Sequence, residues 1–190
     1  MNLGIISVHG CPIRQAGIKD VGGMNVYLLE TAKRIADFGN KVDIFTRRHD
    51  PKDPQIININ DNLRLIHIDS GPVDAEKKEL FSYINIFTKK VIKIIEHENN
   101  LYDIFSSHYW LSGIVGNDLS KQFHVPHVTS FHTLNDLKQK AFPFDEFLPI
   151  RSKYESLIAK KVDHIIVWSN HEKKSLISLY NLDPEKISIL

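Results

Sequence analysis

Short apolar runs alternate with amphipathic stretches along most of the chain. Six runs predict β-strands, at residues 3–8, 41–46, 103–107, 127–131, 164–169 and 187–190. Apolar residues between them recur with the period of a helix, as at Leu28, Ala32, Ile35 and Ala36, or at Ile84, Phe87, Val91 and Ile94. Strands that alternate with helices are typical of a parallel sheet with helices on both faces. The pattern therefore predicts an α/β fold, a Rossmann-like, doubly wound, mostly parallel sheet.

Three stretches depart from this alternation. Residues 56–60 and 63–68 flank Asp61-Asn62 and predict a β-hairpin or a pair of short strands. Residues 142–149 carry two prolines and three phenylalanines, which predicts a loop over a site. The chain ends inside the apolar run 187–190, so we expect residues 1–190 to be one domain, the N-terminal part of a longer protein.

Composition narrows the class of protein. The 190 residues are 42% apolar and 25% charged, with a net charge of +1, which is ordinary for a globular domain. The sequence shows no basic stripe of the kind that binds nucleic acid. No apolar run approaches the roughly 20 residues that a membrane-spanning helix needs. One cysteine, Cys11, excludes a disulfide within the chain, and no signal peptide is visible, so we expect a cytoplasmic protein.

The segment 20–27 carries the first chemical signal. Gly22 and Gly23 lie between the first predicted strand and the first predicted helix. Bare backbone N–H groups at a helix N-terminus bind anions such as phosphate. The alternative is a glycine turn that only starts the helix.

A nicotinamide-binding domain is the first interpretation that this loop invites. The required Gly-x-Gly-x-x-Gly spacing is absent, and Thr46-Arg47-Arg48 stands where an acidic residue is expected after the second strand. No Gly-Lys-Ser/Thr occurs, which excludes a P-loop. An oxidoreductase is therefore disfavoured.

Six segments together carry a resemblance to a known family. They are Val8-His9, Gly22 to Tyr27, Phe45 to Arg48, His108 to Gly113, His132 to Leu134, and Arg151 to Glu155. With these the chain resembles the N-terminal half of a retaining glycosyltransferase of family 4 with GT-B architecture. It is similar to the inositol-phosphate transferases of the mycothiol pathway and to bacterial sucrose-phosphate synthases. The resemblance implies an acceptor-binding domain, with the donor-binding C-terminal domain absent from residues 1–190 and the fragment alone inactive.

The resemblance also implies roles for single residues. Gly22 and Gly23 would meet the donor diphosphate, and Asn25 the acceptor hydroxyls. His132 would be the catalytic histidine that holds the transferred sugar. The acceptor phosphate would be bound by Lys77, Tyr109, Thr133 and Arg151.

Each of these roles has a structural alternative. Asn25 can be a polar residue of a first helical turn, and Arg151 can form an i,i+4 ion pair with Glu155. Trp110 can be a pocket wall or a core residue. His124 and His127 have the spacing of metal ligands, but no third ligand accompanies them, so no metal is expected.

The family implies a nucleotide-sugar donor, with UDP as the expected nucleotide, no cofactor, and retention of configuration. A phosphorylated sugar or inositol is the expected acceptor, and inositol phosphate, fructose 6-phosphate, a lipid or a glycan stay open. The alternative function is a non-catalytic module that binds a sugar phosphate.

Overall fold

The computed structural model of the protein describes residues 1–14, 22–141 and 148–190. Its strands are β1 (Asn2–Ser7), β2 (Lys41–Arg47), β3 (Ile56–Asn60), β4 (Leu63–Ile68), β5 (Ile104–His108), β6 (His127–Ser130), β7 (His164–Val167) and β8 (Ile187–Ile189). Its α-helices are α1 (Gly23–Asp37), α2 (Ile84–Glu98), α3 (Trp110–Phe123), α4 (Asn135–Ala141), α5 (Leu148–Lys161) and α6 (Asn170–Tyr180). Most of the predicted loop at 142–149, and residues 20 and 21 of the glycine segment, lie outside the described residues.

The described strands form one sheet in the order β3-β4-β2-β1-β5-β6-β7-β8. All neighbouring pairs are parallel except β3 and β4, which are antiparallel with a register shift between Asn58 and Asn60. The predicted α/β class and the predicted hairpin are therefore confirmed. Because the strand order reverses at β1, a crevice opens between the loops that follow β1 and β5, which is where open α/β sheets bind ligands.

Some strands end earlier than the apolar pattern predicts, because near the strand end a side-chain hydroxyl accepts a hydrogen bond from a backbone N–H group. Val8 follows β1, and its N–H donates to the Ser112 hydroxyl at 3.0 Å. Ser169 follows β7 and caps α6, since its hydroxyl accepts from the Glu172 N–H at 3.1 Å. Hydrogen bonding at the helix starts thus shortens these strands by one or two residues.

The core has two parts, one on each face of the sheet. Leu3 and Ile5 of β1 pack with Leu28 and Ala32 of α1 in one cluster. Ile6 of β1 belongs to the other cluster, which includes apolar residues of α2 and α3. Successive side chains of a strand point to opposite faces, so both faces of this sheet are covered by helices. Among the described residues, no helix is long and apolar enough to cross a lipid bilayer.

Candidate functional site

The predicted site residues lie at the carboxyl edge of the sheet, near the crevice between β1 and β5. Gly22 is the N-cap of α1, with φ −140° and ψ −160°, and no side chain among the described residues caps this helix. A Cβ added at Gly22 or Gly23 would meet no atom of residues 1–14, 22–141 or 148–190 within 4 Å. In the described part of the chain, neither the backbone conformation nor crowding requires glycine here. With respect to those residues, the two glycines leave open space in front of the first N–H groups of α1.

Asn25 lies in the first turn of α1 and is 1% exposed. Its side-chain Nδ2 donates to the Cys11 carbonyl at 2.9 Å, which orients the amide. Its Oδ1 is buried and has no hydrogen-bond partner among the described residues. A buried amide oxygen without a partner is costly, which marks Asn25 as a candidate for contact with a ligand.

One cleft brings several of the predicted residues together. It has a volume of about 410 Å³ and is lined by His9, Gly22, Gly23, Met24, Asn25, His132 and Thr133. That volume is in the range of small-molecule sites. The two glycines, Asn25, His132 and Thr133 were predicted to share a site, and the structure places them around one space.

His9 is a member of this cleft to which the sequence assigned no role. Its ring lies 4.4 Å from that of Tyr109, and its buried Nδ1 has no hydrogen-bond partner among the described residues. Burial, and then the charges of Lys77 and other neighbours, lowers the pKa of His9 well below its usual value. His9 is thus a neutral polar group at neutral pH. Its place directly after the first predicted strand, residues 3–8, is the sequence signal that could have identified it.

A second, smaller pocket contains most of the predicted phosphate ligands. It has a volume of about 180 Å³ and is lined by Lys77, Lys78, Tyr109, Trp110, Asn135, Lys138 and Arg151. The Nζ of Lys77 lies 4.4 Å from the centre of the Tyr109 ring, and the Cζ of Arg151 lies 4.7 Å from it. Two cations therefore share one aromatic ring, which makes this pocket suited to an anion. Trp110 lines the pocket although it is only 1% exposed, so it serves both as wall and as core.

Arg151 joins this pocket to the larger cleft. Its Nη2 donates to the Thr133 hydroxyl at 3.0 Å and also to the Thr133 carbonyl. Its Nε donates to Glu155 at 2.6 Å, so the ion pair considered as the alternative role is present as well. Glu155 is fully buried and also accepts from the Tyr180 hydroxyl at 3.0 Å. The ion pair fixes the guanidinium in place while one edge of it reaches Thr133.

His132 follows β6 and lines the larger cleft. Its backbone has φ 61°, in the left-handed region that non-glycine residues seldom adopt. Its Nε2 lies 2.9 Å from Nδ1 of His108, and its ring lies 4.6 Å from that of Trp168. Burial lowers the pKa of His132 to about 4, so the ring is neutral at neutral pH.

Tyr109 has an unusual backbone, with φ 77° and ψ 158°. This conformation is almost restricted to glycine and costs on the order of 1–3 kcal/mol. The neighbouring β5 and α3 hold it there, and the strain coincides with the residue that both pocket cations contact. Such strain concentrates at functional sites.

The two histidines considered as metal ligands line neither pocket. His127 is buried, with Nδ1 at 3.0 Å from Asn117 Oδ1 and Nε2 at 2.8 Å from Ser107 Oγ. His124 ends α3 with φ 57°. Within residues 1–14, 22–141 and 148–190, no three His, Cys, Asp or Glu side chains are grouped as metal ligands. Cys11 is buried, and burial raises the pKa of its thiol to about 11.

Comparison with known proteins gives matches along the chain. The model of Glycosyltransferase Family 4 matches residues 21–190. A D-inositol 3-phosphate glycosyltransferase from Corynebacterium glutamicum (strain R) is 36% identical over 100% of this chain and 46% of that protein. One from Mycolicibacterium vanbaalenii is 35% identical over 98% of this chain and 42% of that protein. The chain thus spans about half the length of the curated relatives it matches.

Solved structures match in the same way. A sucrose-phosphate synthase from Thermosynechococcus elongatus superposes with a TM-score of 0.89 at 28% identity, over 99% of this chain and 47% of that chain. Anabaena Alr3699/HepE, solved with UDP and glucose, has a TM-score of 0.65 at 14% identity over 100% of this chain and 44% of that chain, which shows the fold alone. These superpositions confirm the predicted Rossmann-like fold.

Proposed function

We propose, from the premise that this chain belongs to glycosyltransferase family 4, that it is the acceptor-binding domain of a cytoplasmic sugar transferase. The enzyme transfers a sugar from a nucleotide-sugar, a UDP-sugar, to a phosphorylated polyol or sugar. The observation that carries this proposal is the pairing of two adjoining spaces. The glycine-lined cleft holds His132 and Thr133, and Thr133 is hydrogen-bonded to Arg151 of the cationic pocket.

The glycine-lined cleft is the proposed site of the reacting sugar and the donor diphosphate. The N-terminus of α1 carries partial positive charge, and the open space at Gly22 and Gly23 lets phosphate oxygens reach its N–H groups. His132 contacts the transferred sugar, and the unpaired Oδ1 of Asn25 accepts from an acceptor hydroxyl.

The cationic pocket is the proposed site of the acceptor's phosphate. Lys77 and Arg151 supply charge-assisted hydrogen bonds, and the Tyr109 hydroxyl adds a further one. Thr133 contributes from the adjoining cleft, where its hydroxyl is bonded to Arg151. This division places the phosphate in the 180 Å³ pocket and the reacting hydroxyl in the cleft beside His132.

The reaction proceeds with retention of configuration. The acceptor oxygen bonds to the anomeric carbon on the face from which the diphosphate leaves, and the leaving phosphate oxygen takes the acceptor proton. Positive charge at the α1 N-terminus stabilises the negative charge that develops on the diphosphate. The donor-binding domain contributes most contacts to the nucleotide, so residues 1–190 alone bind the acceptor without turnover.

A thermal-shift titration of the full-length protein tests the acceptor. A sugar or inositol phosphate at about a hundred times its dissociation constant adds roughly 2.7 kcal/mol of stability, and its unphosphorylated parent adds less. Lys77→Ala and Lys33→Ala form a matched pair. Lys77 contacts the Tyr109 ring, whereas Lys33 of α1 lines neither pocket and pairs with Glu30 at 2.8 Å. We expect the shift to be lost in the first variant and kept in the second.

A transfer assay separates the enzyme from a non-catalytic binding module. The full-length protein is given the phosphate that shifts its melting temperature together with a panel of UDP-sugars, and NMR of the product reports the anomeric configuration. A retained configuration supports the proposal. Binding of the phosphate with no transfer from any nucleotide-sugar would favour the binding module.

A further inference from the structure

His108 and His132 are hydrogen-bonded to each other at the edge of the cleft. His108 is the last residue of β5 and lies opposite Ser130 of β6 in the parallel register. His132 lies two residues after Ser130, and the strand pairing therefore brings Nδ1 of His108 to 2.9 Å from Nε2 of His132. Trp168 packs on the His132 ring at 4.6 Å and limits its rotation.

Both rings are neutral at neutral pH. Burial, and then the charge of His132, lowers the pKa of His108 to about 3, and burial lowers that of His132 to about 4. Each neutral imidazole carries one N–H and one bare nitrogen. A hydrogen bond between the two rings therefore needs a proton on only one of the two facing nitrogens.

The surroundings of His108 decide which nitrogen carries that proton. Its Nε2 lies 3.5 Å from Ser106 Oγ, at the limit of a hydrogen bond, whereas its Nδ1 has His132 at 2.9 Å. His108 is 6% exposed, and buried N–H groups without partners are rare. If the His108 proton is on Nδ1, this N–H donates to His132 Nε2. The single proton of the His132 ring is then on Nδ1 of His132. The opposite arrangement leaves the His108 N–H with only the long contact to Ser106.

We propose that His108 is a positioning residue, which donates its Nδ1 proton to His132 Nε2 and so makes His132 present an Nδ1–H donor to the bound ligand. The assignment rests on the proposed function insofar as His132 contacts the transferred sugar. Nδ1 of His132 has no hydrogen bond to the described residues. His132 therefore donates a hydrogen bond to a sugar or phosphate oxygen and does not act as a base through that nitrogen.

Imidazole ¹⁵N NMR on the histidine-labelled, full-length protein without ligand tests the proton positions directly. We expect His132 to have a protonated Nδ1 and a bare Nε2, and His108 to have a protonated Nδ1. A bare Nδ1 on His132 would overturn the proposal. Ser106→Ala is the matched control: it leaves both tautomers unchanged if the His108 proton is on Nδ1, and a tautomer change in this variant contradicts the assignment.

Transfer kinetics then test the consequence for catalysis. His108→Asn keeps a hydrogen-bond donor, because the amide nitrogen of asparagine is bonded to Cγ just as Nδ1 of histidine is. His108→Ala removes this donor. We expect kcat to fall at least 10-fold in His108→Ala with the acceptor KM within 2-fold, and to stay within 3-fold of wild type in His108→Asn. Equal losses in both variants would contradict positioning by the donor.

The two proposals can fail separately. If the wild-type protein transfers no sugar, the proposed function fails, and the NMR result still decides the proton positions. If His108→Ala does not fold, the wild-type and Ser106→Ala spectra remain decisive, because neither depends on that variant.

Discussion

Substitution of Gly23 by alanine should stabilise the fold and weaken donor binding. Gly23 is the first residue of α1, and a Cβ there meets no atom of the described residues within 4 Å. Alanine is favoured over glycine in a helix and lowers the entropy of the unfolded chain, by about 0.4–1 kcal/mol. At about 2–4 °C per kcal/mol for a chain of this size, we expect the melting temperature to rise by roughly 1–4 °C.

The same methyl group occupies the space that the proposed diphosphate needs. Loss of one hydrogen bond from a backbone N–H to a charged oxygen costs about 1.5–3 kcal/mol. Since 1.4 kcal/mol is a factor of ten, we expect the donor to bind about 10- to 150-fold more weakly. Calorimetric titration of the full-length protein with a UDP-sugar measures this change, and thermal unfolding of the same samples measures the stability.

Gly39→Ala is the matched control for this experiment. Gly39 follows α1 at its other end with φ 81°, and a Cβ there also meets nothing within 4 Å. Alanine is strained at that backbone angle by about 1–2 kcal/mol, so this variant should lose stability and keep donor affinity. Unchanged donor affinity in Gly23→Ala would refute the role proposed for the α1 N-terminus, and a lower melting temperature would refute the open space at this position.

Three further results are expected. The pKa values of His108 and His127 are lowered to about 3 and about 4, chiefly by burial, from the 6.5 of an unperturbed histidine. As the pH falls below 6.5, the unfolded state therefore binds protons that the folded state does not. The free energy of unfolding, measured in urea, should then decrease between pH 7 and 5.5, by up to about 1.4 kcal/mol per pH unit for each histidine. A free energy that does not change with pH would contradict the burial of neutral rings. Gly116→Ala should destabilise by about 1–3 kcal/mol in urea unfolding, because its Cβ would lie 2.2 Å from His127 Nε2, and wild-type stability would show that His127 moves freely. Arg151→Ala should lower the free energy of unfolding in urea by about 3–5 kcal/mol, since Glu155 is 0% exposed and would lose its cation. A decrease of less than 1 kcal/mol would mean that Glu155 is protonated in the variant.

The fold was largely predictable because its signals are local. Apolar runs of strand length and stripes of helical period depend on neighbouring residues alone, and they located the strands to within one or two residues. The stop after α1 was visible as Gly39, which the structure holds at a positive φ. The strand ends were less predictable, because the hydroxyls of Ser112 and Ser169 accept hydrogen bonds from backbone N–H groups near these ends. Such bonds cannot be read from the apolar pattern of the strand itself.

The site was predictable from local position only at the start of a helix and just after a predicted strand. Gly22 and His132 were located this way, and the family resemblance, confirmed by the model match to residues 21–190, gave them and Tyr109 expected roles. The contact between His108 and His132 depends on the register of β5 against β6, which no local pattern encodes. The backbone angles of Tyr109 were hidden for another reason, since such angles are normally signalled by glycine.

The position of β1 in the sheet order has a consequence for how the chain folds during synthesis. β1 is made before the other described strands, yet it lies inside the sheet, between β2 and β5. After β4 is complete at Ile68, one edge of β1 waits unpaired until Ile104–His108 leaves the ribosome. At about 5–20 residues per second this delay lasts on the order of seconds. An apolar strand edge is open to wrong partners throughout that time, so chaperone demand should be highest while α2 is being translated.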